Sequence, residues 1–600
     1  MNHLFWLSTL IPGFAILQAA RPVDLRYGLL ATIAWSFGLT VALASPIIVV
    51  AHVLELTAPT VAFLYLGLVA LGLAGIVKFS RAAHIRKAMR VARWPELAVV
   101  LAVIGAGAYL GGVAHFDSWV YAAKIRYLMD VGFSLQDPYS PLPVFESRYL
   151  VNTYLGLHAI GAWLSDTEPI EMLFESAWFF RLLALGGIEF LAMVLFRSRW
   201  VAMTCVFGAL FFIGAESAGA YPKYVAGYVV FPILMAQILQ VLDRRAGSRY
   251  FEIAAASLAL ALIHIGFWSI AILCMAPTFL GWYLWRIRLS TSGMPAVLAG
   301  TALLLPGLPF AAMTALQPAP HWELWDSWFT FSLYTFNTGG SWTLYMLNPV
   351  PYFWMVPTSA VIVLLLLSVP EPTRRRVVFL GSILMAALLY MFNPFFLTVL
   401  MKRIPYWIVE RAHFIGLVTA LVVIPGWLAL MARDALRTRV SRVVFSFALI
   451  SGSMFLFKPA ISSFYNNRST HQYMLQRARE LQEVVETITD ERPLIAADPT
   501  LSLLLPAVRI SAVMAPYLTH SNPADEGTLR RHNDAQELLA LTTSEARRRE
   551  IISEHGIDYV LIGPHRGRSG TDDEVDMSMF HEFEDLVIER HGFQLFRLPR

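Results

Sequence analysis

Long apolar runs alternate along this chain with connections that are either short and basic or long and aromatic. The runs fall at 3–20, 27–53, 60–79, 96–114, 174–195, 200–215, 221–241, 250–266, 268–288, 296–315, 353–370, 377–392, 413–431 and 442–459. A helix of about 20 residues crosses a hydrocarbon core, and most of these runs reach that length. Leu, Ala, Ile, Trp and Phe fill them without the strict alternation of a membrane barrel. The pattern predicts a polytopic α-helical membrane protein of about 13–14 spans.

The polar connections predict how the spans are oriented. One set carries Arg21 and Arg26, the cluster from Lys78 to Arg93, Arg197 and Arg199, Arg244 to Arg249, Arg286 and Arg288, Arg374 to Arg376, and Arg433 to Arg442. The opposite set carries Lys124, Arg126, Arg148, Lys223, Lys402, Arg403 and Arg411. Basic residues collect on the cytoplasmic side, so the first set faces inward and both termini lie outside. This parity reads residues 150–165 as a helix lying in or dipping into the outer interface. The alternative is a full span with the local topology reversed.

Composition adds three constraints. Hydrophobic residues make up 57% and charged residues 15% of the 600, far from the globular balance of about 25% charged. The two cysteines, Cys205 and Cys274, sit inside apolar runs and frame neither a disulfide nor a metal site. The N-terminus lacks the basic region of a signal peptide and reads as a retained first span. The organisation expected is extra N-terminal spans over 1–95, a membrane core over 96–460 and an outer domain over 461–600. The core carries outer loops at 115–172, 316–352 and 394–412.

From residue 461 onward there are 22 Asp or Glu, 15 Arg and no Lys, which marks a soluble domain. Helical patterns cover 472–489 and 534–555, and short apolar runs at 494–498, 509–515, 558–563 and 594–599 read as strands. The alternation predicts a small α/β domain. His555-Gly556 reads as a glycine-terminated helix feeding the strand DYVLIG. The run DDEVD at 572–576 reads as a solvated loop more readily than as a cation site.

Ionisable groups at membrane depth mark cavities, because burying them is costly. At the outer ends of spans stand Arg181, His264, Glu410, Arg411 and His413, with Asp117 at the boundary. Asp117 is either a general base for an attacking hydroxyl or the N-cap of an amphipathic helix over 118–131. Arg411, near Lys402, suits a lipid-linked phosphate, because guanidinium matches phosphate oxygens bidentately; a snorkelling interfacial residue is the plainer reading. Arg181, with Glu189 two turns on, is either a structural pair or a substrate contact, and Lys223 in AYPKYV is either an anchor or a second phosphate contact. Tyr121, Lys124, Asp137, Glu146, His158, His321 and Glu323 complete the candidates for a substrate groove. No P-loop, HExxH or GxSxG sequence is present, so an exported reaction would draw on an activated substrate.

These residues resemble the GT-C glycosyltransferases, multispan enzymes that use polyprenyl-phosphate sugars and include protein mannosyltransferases and lipid A aminoarabinose transferases. The resemblance rests on an early acidic residue after a span (HFDSWVYAAKIRYL), on the interfacial stretch DPYSPLPVFESRYLVNTYLGLHAIGAWL, on IHIGFW at a span end, and on a C-terminal domain with HGIDYVLIG and QLFRL. It spans roughly 95–600. Where many relatives carry two adjacent acids, this chain has Asp117-Ser118, and its acidic loop follows the fourth span instead of the first. The resemblance implies an inverting transfer from a polyprenyl-phosphate sugar to a glycan, lipid or protein acceptor, in a bacterial inner membrane. Asp117 would be the base, and Arg411, Arg181, Lys223 and Lys402 would hold phosphate. A second carboxylate, and any Mg2+ or Mn2+ it helps to bind, would come from Asp137 or Glu146. No nucleic-acid partner is expected. The competing class is a transporter or assembly component for lipid-linked sugar, which should show two related halves; none is visible in the sequence.

Overall fold

The computed structural model describes residues 2–20, 28–79, 96–103, 116–142, 151–215, 221–243, 248–289, 291–316, 333–337, 343–352, 354–402, 404, 406–432, 438, 441, 458–509, 511–515, 527–540, 542–563 and 585–598. Among them, eight helices are long and apolar enough to cross a membrane, at 29–53, 58–79, 177–196, 222–242, 265–288, 350–368, 371–392 and 406–431. The expected span 3–20 is broken into Asn2–Ser8 and Ile11–Ala20. The expected span 296–315 bends by 53° between Met294–Leu304 and Leu308–Ala315, where Gly307 and Pro309 interrupt the ladder. Most of 96–114 and nearly all of 442–459 lie outside the described residues.

Helices 177–196 and 222–242 occupy the centre of the bundle, with 89% of each apolar window buried, against 28% for the peripheral 58–79. Thr153–Ser165 is 13 residues long, about 20 Å, too short to cross a core of about 30 Å. Its buried residues pack inside the bundle, and Asn152 caps it by accepting from Leu155 N–H at 2.9 Å.

The last turn of Ala177–Phe196 is closed by a residue from another span. Arg376, fully buried on Glu371–Phe392, donates to the carbonyls of Val194 (2.7 Å) and Leu195 (3.0 Å). Helix C-termini leave such acceptors without intrahelical partners. Arg376→Met should therefore destabilise the bundle by about 1.5–3 kcal/mol, the range for a lost hydrogen bond to a charged group. Thermal unfolding of the purified protein in nanodiscs reads this, and an unchanged midpoint would refute it.

At the same end, the first turn of Leu29–Val53 receives two carboxylates. Leu29 N–H donates to Glu96 (3.0 Å), Ala31 N–H donates to Glu189 (2.9 Å), and Arg199 donates to Glu96 (2.9 Å). Negative charge at a helix N-terminus is favourable. Glu189 thus serves another helix, while Arg181 stands two turns before it on its own.

The C-terminal domain carries a five-stranded sheet in the order β4–β3–β5–β7–β6, built from β3 (Leu494–Ala496), β4 (Ala512–Val513), β5 (Tyr559–Ile562), β6 (Asp585–Arg590) and β7 (Phe593–Arg597). Strand β3 pairs in parallel with β4 and β5, while β7 runs antiparallel to β5 and β6. Strands β1 (Leu333–Asn337) and β2 (Thr343–Leu347) form a hairpin in the membrane region. The turn at Gly556 is as expected, with φ 62° and its N–H on Ile552 C=O at 2.9 Å. The expected helix over 534–555 divides instead into Thr528–Leu539 and Glu545–His555. Ser544 starts the second by capping Arg547 N–H.

This domain sits on the helix Phe116–Asp130 through its own helix Pro499–Val508. Arg126 donates to Ala507 C=O (3.4 Å) and pairs with Glu168. Tyr139 O–H donates to Leu503 C=O (3.1 Å), and Arg492 donates to the carbonyls of Asp137 (3.1 Å) and Ser140 (2.9 Å).

Candidate functional site

Asp117 lies in the first turn of Phe116–Asp130, where the helix dipole favours a carboxylate. Lys223 Nζ stands 2.7 Å from its Oδ2. The lysine comes from the start of the central span 222–242, where Tyr221-Pro222 ends the preceding segment and Pro222 pre-sets the first helical turn. Its ammonium also lies over the rings of Tyr224 (5.6 Å) and Tyr221 (6.0 Å). Tyr221 O–H bonds the Ser118 hydroxyl, and its ring meets Tyr121 edge-on at 5.6 Å. Immediately after Lys223, the helix runs as a π-helix over Val225–Val230, a form often found at functional sites.

His264 occupies the break between Ser248–Ile263 and Ile265–Arg288, and its Nδ1 accepts Phe267 N–H at 3.0 Å. Arg411 Nη1 lies 2.6 Å from Nε2 of the same ring. A neutral imidazole accepts at only one nitrogen, so the helix cap and the guanidinium compete for one lone pair. If the guanidinium holds it, Nε2 accepts from Arg411 and fixes the position of that side chain. The segments that carry Lys223, His264 and Arg411 pack against one another, with the Tyr224 ring 5.3 Å from that of Phe414, so the Asp117–Lys223 and His264–Arg411 pairs belong to adjoining elements. Gly266 permits the close approach, since a Cβ there would fall 2.6 Å from Ile408 Cδ1 and 3.4 Å from Arg411 Nη1.

Around this centre, Glu410 accepts from Tyr352 O–H, and His413 Nδ1–H donates to Glu410 C=O at 2.7 Å. Arg181 lines a small pocket with Phe180, Ala184, Ile213, Tyr224, Tyr228 and Val229. Tyr224 and Tyr228 stack at 5.8 Å, and Phe414 meets both edge-on. Lys402 caps the C-terminus of Pro394–Met401.

Other candidates stand elsewhere. Lys124 is buried and donates to the carbonyls of Ser134 (3.3 Å) and Gln136 (3.0 Å), closing the loop behind its helix. Asp137 is buried against the C-terminal domain, where its Oδ1 accepts Tyr139 N–H at 2.9 Å. His158 packs among Trp6, Tyr154 and Phe180, with Nδ1 on Tyr154 C=O at 3.0 Å. Glu146, His321 and Glu323 fall outside the described residues.

Asp117 and Asp137 have different surroundings, the first beside Lys223 and the second against the C-terminal domain, and Glu146, the other expected second carboxylate, lies outside the described residues. Among the described residues, Asp534, Glu554 and His555 bring ligand atoms within 4.8 Å of one another. Arg547 and Arg530 already pair with those carboxylates, and His555 lies 2.7 Å from Asp534, so the cluster reads as an ion-pair network joining two helices.

Sequence reasoning missed Ser118, Tyr221, Tyr224 and Tyr352. The tyrosines were indistinguishable from the interfacial aromatic belt common to membrane proteins.

No family model and no curated protein matches the chain. Among solved structures, it is similar to ArnT from Cupriavidus metallidurans bound to undecaprenyl phosphate, at 13% identity and a TM-score of 0.48 over 84% of this chain and 97% of that one. It is also similar to the Archaeoglobus fulgidus oligosaccharyltransferase tethered with an acceptor peptide, at 14% identity and a TM-score of 0.36, covering 78% of this chain and 69% of that one.

Proposed function

We propose that this multispan protein is a GT-C-type glycosyltransferase of a bacterial inner membrane. It moves a sugar from a polyprenyl-phosphate donor to a glycan, lipid or protein acceptor at the outer face. One observation supports the reading: four separate segments bring Asp117 and Lys223, and His264 and Arg411, together as two contacting pairs on adjoining elements.

The acceptor oxygen attacks the anomeric carbon while Asp117 takes its proton. The bond from that carbon to the phosphate oxygen breaks, and the electron pair leaves with the polyprenyl phosphate. Arg411, positioned by His264, and Lys223 hold the departing anion. A single displacement inverts the anomeric centre. Arg181 and its tyrosine-lined pocket lie beside the carrier, and the C-terminal domain receives the acceptor.

Purified protein in nanodiscs, given polyprenyl-phosphate sugars and cell-envelope acceptors, should release polyprenyl phosphate and glycosylated acceptor together. Movement of the intact donor across the bilayer, with its sugar–phosphate bond unbroken, would replace this reading with transport.

A further inference from the structure

The base and one of the phosphate-binding cations are each other's partner. Lys223 Nζ lies 2.7 Å from Asp117 Oδ2, and the side chains remain 25% and 31% exposed, so the pair faces open space. With Lys223 donating to Oδ2, that oxygen is occupied and is not presented to a substrate hydroxyl. Asp117 in this state is a poor base, and Lys223 is neutralised as an anion ligand.

We propose that the Asp117–Lys223 ion pair sets the order of substrate binding: the polyprenyl-phosphate sugar enters first, its phosphate draws Lys223 off Asp117, and only then is the carboxylate competent to take the acceptor proton. The inference rests on the glycosyltransferase reading and goes beyond it. Three features support it. Lysine is a compact charge on a flexible stem, able to turn without moving its helix. The faces of Tyr224 and Tyr221 already lie within cation–π range of the ammonium, so Lys223 has support away from the carboxylate. Arg411, held by His264, lies on an element packed against the one that carries Lys223, so an anion held by Arg411 attracts the ammonium from the carboxylate side. Acceptor bound without donor then meets a base already occupied, which suppresses idle proton transfer.

Removing the carboxylate should improve carrier binding while it removes the base. Binding of polyprenyl phosphate would be measured in nanodiscs for wild type, Asp117→Asn, Lys223→Gln and the double variant. Asp117→Asn should tighten binding by about fivefold, the factor for a pair of this exposure. In the Lys223→Gln background the same change should alter the dissociation constant by less than about twofold, because there is no pair to release. Asp117→Ala repeats the test without an amide that could bond Lys223, and unchanged thermal midpoints certify the fold.

Equal tightening in both backgrounds would mean that Asp117 acts only as a nearby negative charge, and would overturn the ordering. Unchanged or weaker binding by both Asp117→Asn and Asp117→Ala would overturn it as well. A folded wild type that binds no polyprenyl phosphate would overturn the glycosyltransferase reading together with the ordering.

Discussion

Asp117→Asn should lower sugar transfer by about 10²–10⁴-fold, the usual share of a positioned general base. The asparagine side chain keeps the size and can still meet Lys223, yet it cannot accept a proton at neutral pH. The loss should fall on kcat, because removing the carboxylate frees Lys223 and carrier binding should tighten, not weaken. Single-turnover transfer with saturating donor separates the two parameters. A variant that folds, binds carrier and transfers at the wild-type rate would remove Asp117 from the mechanism.

The second large effect belongs to Arg411. Its guanidinium reaches His264 at 2.6 Å from the start of the span 406–431, and it is the group best shaped to hold a phosphate. Arg411→Ala should raise the donor KM by about 30–150-fold, corresponding to about 2–3 kcal/mol for a charge-assisted hydrogen bond. Arg411→Lys should recover little, because a point charge cannot reproduce the planar fork. Full recovery by lysine would show that only the charge at this position matters.

Much of this centre was legible in the sequence, for a physical reason. Asp117, Lys223, His264 and Arg411 are polar groups at the ends of apolar runs, where the cost of burial makes any ionisable residue conspicuous. What the sequence did not contain was their pairing. Lys223 and Asp117 are separated by 106 positions, and nothing in AYPKYV names its partner. Lys124 and Asp137 looked as chemical as Asp117, and only the folded loop shows them occupied with local backbone groups.

In the C-terminal domain, short apolar runs announced four of the five strands. Strand β6 escaped because the short apolar centre of DLVIER is flanked by Asp585 on one side and Glu589-Arg590 on the other. The break at 540–544 escaped because Leu539, Ala540 and Leu541 continue a helical pattern that the capping Ser544 cuts short.

The π-helix at Val225–Val230 makes the span below Lys223 one residue richer than a regular helix requires. Such an insertion is removable. Deleting one residue from that stretch lets the segment relax to an α-helix while Phe231–Asp243 stays anchored in the bundle. A π-turn is the form a helix takes when it absorbs one inserted residue, so the turns on either side keep their register when that residue is removed, and Lys223 should still meet Asp117. The chain thus carries, directly beside its lysine, a residue it could lose without refolding the span.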